Sequence, residues 1–169
     1  MKILTLMRHG RAEPKDPRMS DFDRPLHRRG VLEATRMAER LCAQGRIPDL
    51  LLSSSATRTV QTAEVFARVM NLPARKVLRA DELYLAQPDE LLDVLRGAAN
   101  KISHFMVVGH NPGLSSCANR LAKTGGLSEF DTGALCTLEL PIANWTDARF
   151  GIGHNPRYDT PDQCLDSWS

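Results

Sequence analysis

Met1-Lys2-Ile3-Leu4-Thr5-Leu6-Met7-Arg8-His9-Gly10-Arg11 opens the chain, and the rest of the sequence is best read outward from it. Met1 to Met7 carries Ile3, Leu4, Leu6 and Met7 in a short apolar run, which predicts a buried strand. The run ends in charge and a glycine, which predicts an exit from the sheet. In open α/β sheets, ligands bind outside the carboxyl ends of the strands. Arg8 offers a planar fork of donors that matches a phosphate, and His9 can act as a nucleophile or proton carrier near neutral pH. Gly10 allows the backbone to come close to a ligand or to take a conformation that a side chain forbids. Taken alone, the tripeptide fits a surface arginine and a capped histidine equally well.

The remaining chain alternates strand-like and helix-like stretches. Glu13 to Leu26 is rich in Pro, Asp and Arg without apolar period, and predicts a long loop over the strand edge. Gly30 to Ala43 places Val31, Ala34, Ala38, Leu41 and Cys42 on one helical face, with Gly45 as the stop. Leu50-Leu51-Leu52 predicts a buried strand running into Ser53-Ser54-Ser55. A helix from Thr57 follows, with Val60, Ala63, Ala67 and Met70 inward and Pro73 beyond its end. Val77-Leu78 is a weak strand, and Asp89 is the expected cap of a third helix through Leu91, Leu92, Leu95 and Ala98. His104 to Val108 predicts another strand, ending at Gly109-His110-Asn111-Pro112-Gly113, with Leu114, Cys117, Ala118 and Leu121 helical after it. Ala134 to Leu140 is the last clear strand.

Strands alternating with helices predict βαβ units: an α/β fold, three-layered, with a mostly parallel central sheet and one late antiparallel strand. The 169 residues are expected to form one domain, with 146–169 as an edge segment or loosely held tail. A net charge of +2 gives no footprint for nucleic acid or a membrane surface, so neither is expected as a partner. Cys42, Cys117, Cys136 and Cys164 form no Cys-x-x-Cys pair, which predicts reduced thiols rather than a zinc knuckle or disulfide frame. The first apolar run breaks at Arg8, too early for a signal peptide, and no run reaches membrane-spanning length. A cytoplasmic location is the expectation.

Three predicted strand ends then carry related chemistry: Arg8-His9, Ser53-Ser54-Ser55-Ala56-Thr57-Arg58-Thr59, and Gly109-His110. Parallel strands bring such ends to one edge, where two arginines and two histidines would make a cationic pocket sized for a phosphoryl group. Arg58 would lie in the first turn of its helix, where amide donors and the helix dipole also favour an anion.

These residues resemble the histidine phosphatase superfamily. Its Arg-His-Gly after the first strand is matched by Arg8-His9-Gly10. Its Ser-x-x-x-Ala-x-Arg-x-x-Gln-Thr-Ala pattern is met by Ser53 to Ala63, with one residue fewer before the alanine, and its Gly-His-Asn-Pro by Gly109 to Pro112. Within the superfamily, the short length, Asp23-Arg24-Pro25-Leu26 leading to Arg29-Gly30, and Thr132-Gly133-Ala134 are similar to the SixA-type phosphohistidine phosphatases. The likeness runs from Met1 to about Leu140 and leaves the tail after Trp145 uncovered.

The resemblance implies a phosphoglycerate mutase-like fold and a hydrolase, a phosphatase working through a phosphohistidine intermediate. His9 would attack phosphorus in line, with Arg8, Arg58 and His110 holding the equatorial oxygens. No metal and no cofactor is called for. Glu82, in Asp81-Glu82-Leu83-Tyr84, occupies the place where many relatives keep a leaving-group acid, and it is equally readable as a solvated loop glutamate. Arg24 would line the rim and bind substrate, or else pair with Asp21 or Asp23. The expected substrate is a phosphohistidine on a partner protein. A small phosphate ester, as in a small-metabolite phosphatase or mutase, is the alternative, and a non-catalytic phospho-ligand binder the alternative outside enzymes.

Other motifs have plainer readings. Asp131-Thr132-Gly133 occurs once, whereas an aspartic protease needs two such carboxylates. Gly153-His154-Asn155-Pro156 repeats the earlier tetrapeptide without a strand before it and is read as a turn in the tail. His27 and His104 are read as solvated or structural. The serine run lacks a Gly-x-Ser-x-Gly elbow.

Overall fold

The computed structural model describes residues 1–162. Six strands form one sheet: β1 (Lys2–Arg8), β2 (Leu50–Ser54), β3 (Val77–Ala80), β4 (His104–Gly109), β5 (Leu135–Leu140) and β6 (His154–Asp159). Their spatial order is β3-β2-β4-β1-β5-β6. The first four in that order are mutually parallel; β5 runs antiparallel to β1, and β6, antiparallel to β5, returns to the direction of the first four. The fold is therefore α/β in three layers with a mostly parallel sheet and one late strand, β5, running against the rest as the sequence predicted; β6, in the segment read as a tail, is an additional strand.

Four helices cover the sheet: α1 (Arg28–Ala43), α2 (Thr57–Val69), α3 (Pro88–Arg96) and α4 (Gly113–Leu121). The side-chain alternation of the central strands divides the core between the two faces. Met7, Met106, Val108 and Leu51 pack with Ala34, Met37 and Phe66 of α1 and α2. Leu4, Leu6, Phe105 and Val107 pack with Leu91, Leu95, Leu114 and Leu121 of α3 and α4. A fully buried side chain such as Phe66 or Phe105 contributes about 2 kcal/mol.

This division creates the site. β1 and β4 are neighbours, yet the helix after β1 lies on one face and the helix after β4 on the other. Such a switch point leaves a crevice outside the carboxyl ends of the two strands.

Several local expectations are corrected. The buried face of α2 is Arg58, Thr59, Thr62, Ala63, Val65 and Phe66, so Val60 and Ala67 are only partly covered. Threonines read as polar in a periodicity count, but here their hydroxyls bond locally. Thr59 donates to Ser54 O at 2.8 Å and Thr62 to Arg58 O at 2.8 Å, which permits burial. The cap of α3 is Gln87 rather than Asp89: Glu90 closes a capping box on the Gln87 amide at 2.7 Å, and Asp89 falls in the first turn.

Gly153-His154-Asn155-Pro156 is not a turn but the entry to β6, with His154 exposed and facing away from the core. The described part of the tail is held at the sheet edge. Trp145 is fully buried and donates to Ile102 O at 2.8 Å, and Arg40 of α1 pairs with Asp159 at 2.7 Å. Cys164 lies outside the described residues; Cys42, Cys117 and Cys136 are free thiols. No described helix is long and apolar enough to cross a membrane.

Candidate active site

Arg8 is the last residue of β1 and pairs in register with Gly109, the last of β4. The next residues, His9 and His110, are therefore side by side, with ring centroids 5.4 Å apart and planes tilted by 60°. Arg58 enters from the first turn of α2 and is buried. The topology thus brings together Arg8, His9, Arg58 and His110 from three strand ends.

The hydrogen bonds define the two imidazoles. Gly10 O lies 2.8 Å from His9 Nδ1 and can only accept, so the proton sits on Nδ1 and Nε2 presents its lone pair. That lone pair faces Arg58 Nε at 3.2 Å. His110 has the opposite tautomer: Nδ1 accepts from Arg58 Nη2 at 3.3 Å, leaving Nε2–H to donate to Ser54 Oγ at 2.8 Å. Burial lowers the His9 pKa to about 4, with Arg58, Arg8 and Arg24 adding to the effect. Burial lowers His110 to about 3, helped by His9 and Arg58. Both rings are neutral at physiological pH.

Arg8 donates from Nη1 to Phe130 O at 2.7 Å, while its buried Nε has no hydrogen-bond partner among the described residues. Burial lowers its pKa, against the nearby carboxylates of Glu129 and Asp131. Asn111, next to His110, donates to the same Phe130 carbonyl at 2.9 Å.

The glycine of Arg-His-Gly has a packing role that its local sequence did not indicate. A Cβ on Gly10 would lie 2.7 Å from Gly30 O, and one on Gly30 would lie 2.2 Å from Arg11 O. The two glycines let the chain leaving β1 cross the first turn of α1 in direct backbone contact. Gly10 N then donates to Thr62 Oγ1 at 3.1 Å, tying the loop after His9 to the helix that carries Arg58.

The two residues of the rim separate. Arg24 donates to Asp21 Oδ1 at 3.1 Å and to Glu13 O at 3.1 Å, so the ion-pair reading of this residue is realised. Glu82 is exposed on the 3₁₀ turn Asp81–Leu83 and lines a groove with Leu78, Glu90 and Asp93.

Three contacting groups were not singled out from the sequence. Asp21 accepts from Arg58 twice, through its main-chain O at 2.6 Å and its carboxylate at 3.0 Å. Tyr84 donates to Asp21 Oδ2 at 3.1 Å and sets its ring edge-on to His110 at 5.3 Å. Ser54 holds His110. The three-residue step from Asp21 to Arg24 and the position of Tyr84 two residues after Glu82 are visible in the sequence, but neither indicates which group turns inward.

Comparison with known proteins agrees with this architecture. The model of the histidine phosphatase superfamily, branch 1, matches residues 4–93, and the chain belongs to that superfamily. An uncharacterized Mycobacterium tuberculosis protein is 32% identical over 165 residues, covering 89% of this chain and 100% of the relative. The protein histidine phosphatase SixA, solved in complex with tungstate, is 25% identical across 94% of this chain and 97% of its own, with a TM-score of 0.80. A SixA structure from Agrobacterium tumefaciens is 29% identical across 82% and 92%, with a TM-score of 0.73. Among the described residues, no group of three or more His, Cys, Asp or Glu is placed to hold a metal ion.

Proposed function

We propose that this protein is a phosphatase that takes a phosphoryl group onto His9 Nε2 and releases it to water, and that its substrate is phosphohistidine on a partner protein. The observation that carries the reading is the His9 tautomer. With Nδ1–H on Gly10 O, the neutral ring presents Nε2 beside the Arg58 fork, as in-line attack on phosphorus requires. Arg58 and Arg8 supply donors around the position where phosphoryl oxygens gain charge, with His110 beside them.

Two further points support the choice of substrate. The SixA solved with tungstate, which this chain resembles, is by name a protein histidine phosphatase. Of the carboxylates, Asp21 contacts the cluster. Partial burial raises its carboxyl, but Arg58, the Tyr84 hydroxyl and Arg24 outweigh this and hold it below the usual range. An ionised Asp21 cannot protonate an alkoxide leaving group, whereas imidazole leaves more readily. Arg24 stands behind Asp21 at the rim, and Glu82 keeps the role of proton donor open for ester substrates.

Intact mass after brief mixing with a phosphoryl donor, quenched without acid, tests the reading. A gain of one phosphoryl group in the wild type, absent in His9→Ala, is the expected result. Turnover that survives His9→Ala would overturn it, and phosphate binding without any adduct or turnover would favour a binding domain.

A further inference from the structure

Nε and Nη2 form one edge of the Arg58 fork, and that edge has a direction. His9 Nε2 stands at the Nε end, 3.2 Å away. Asp21 Oδ2, at 3.0 Å, and His110 Nδ1, at 3.3 Å, stand at the Nη2 end. A phosphoryl group seated on this edge with His9 at one apical position has its leaving group on the side away from His9. Asp21 holds the end of the fork away from Nε, through its main-chain O on Nη1 and its carboxylate on Nη2, and 37% of its side chain is exposed and therefore within reach of an incoming ligand. Tyr84 donates to the same oxygen at 3.1 Å, and Phe22 packs edge-on against Tyr84 with centroids 5.0 Å apart. The leaving-group side is thus a fixed carboxylate beside two aromatic rings, a setting for a flat heterocycle that can carry a proton.

We propose that Asp21 is the leaving-group residue of this site, its carboxylate accepting the N–H of the outgoing imidazole at the nitrogen not bonded to phosphorus. This rests on the phosphohistidine reading above. The substrate ring takes a proton from solvent on that far nitrogen, and Asp21 holds it there. His9 Nε2 gives its lone pair to phosphorus as the P–N bond to the substrate breaks, and the electrons of that bond return to the substrate nitrogen. The ring departs as neutral imidazole with its N–H intact. His9 keeps its own Nδ1–H on Gly10 O throughout, so its phosphorylated ring takes over the positive charge that the substrate ring gives up. Asp21 does for the outgoing imidazole what Gly10 O does for His9, with a full charge in place of a dipole. No group then has to protonate the bridging atom.

The test compares kcat/KM for phosphoimidazole and for p-nitrophenyl phosphate, whose leaving group needs no proton, at about pH 8, above the imidazole range. In Asp21→Asn the ratio of the two should fall roughly tenfold to a hundredfold, the span of a charge-assisted hydrogen bond. Loss of folded protein or a misplaced Arg58 lowers both rates and leaves the ratio where it was. Asp21→Glu, which restores the charge, should recover part of the ratio. A ratio unchanged in Asp21→Asn overturns the role of Asp21 alone. A wild type that cleaves the ester but neither phosphoimidazole nor a phosphohistidine protein overturns the substrate reading on which it rests.

Discussion

Acid is the sharpest probe of how His9 is built into this site. Protonating the ring would bury a charge beside Arg58, Arg8 and Arg24, and its pKa is pulled down to about 4. The sign follows from the charge: the protonated form is penalised, so the free base persists as pH falls. At pH 5 a ring with a pKa of about 4 is roughly nine-tenths neutral, against roughly 3% for an unperturbed histidine near 6.5. The structure therefore predicts about thirtyfold more available nucleophile at that pH than an ordinary histidine would supply. Imidazole nitrogen–carbon correlation spectra of the unliganded protein, titrated from about pH 8 downward and assigned with His9→Asn, read the quantity directly. The expected spectrum shows His9 protonated on Nδ1 and bare on Nε2, with no midpoint above about pH 5. Phosphoryl transfer to His9, followed by neutral-quench mass measurement, should lose less than about twofold to His9 protonation between neutral pH and pH 5. A midpoint near the ordinary value, or a proton on Nε2 at neutral pH, would refute the argument. Either result would mean that Gly10 O and the arginines do not control the ring.

Two substitutions probe the frame around it. Arg58→Lys keeps one charge but loses the fork that reaches His9, His110 and Asp21 together. Phosphoryl transfer should slow by roughly a hundredfold to a thousandfold, as for loss of one preorganised donor, and a loss under about threefold would show that the fork is dispensable. Gly30→Ala drives a Cβ to 2.2 Å from Arg11 O, a backbone atom that cannot swing aside, and should cost about 3 kcal/mol in urea unfolding. Gly97→Ala, at a helical φ of −75° and with nothing nearer than 3.4 Å, should be neutral or slightly stabilising; equal effects of the two would contradict the crossing described at Gly10.

Much of this protein was legible without coordinates, because its signals are local. Leu4, Leu6 and Met7 before Arg8, and Phe105 to Val108 before His110, define buried strands by composition alone, and each ended one residue beyond the expected place. Leu114, Cys117, Ala118 and Leu121 marked the buried stripe of α4 at helical spacing. Once those strands were parallel, Arg8, His9, Arg58 and His110 had to approach one edge. The failures share a cause: the group that decides them comes from elsewhere in the chain. Thr62 of α2 turns inward because Gly10, far away in sequence, needs an acceptor for its N–H. Gly10 is required by the close passage of Gly30, from another element. The Gly153–Pro156 segment becomes strand because β5 offers an unpaired edge, which no property of the segment reveals.

The chemistry divides along the same line. Sequence alone determined which residue types would gather, since strand ends and helix starts are set by apolar period and turn residues. Tertiary structure alone decided their protonation and direction. His9 carries its proton on Nδ1 because Gly10 O can only accept, and His110 carries its own on Nε2 because Arg58 can only donate. Which carboxylate meets Arg58 was likewise undetermined: Asp21 closes on it, while Glu82 lies exposed on the turn after β3. A side chain's identity is encoded at one position, but its proton and its orientation belong to the partners that folding places around it.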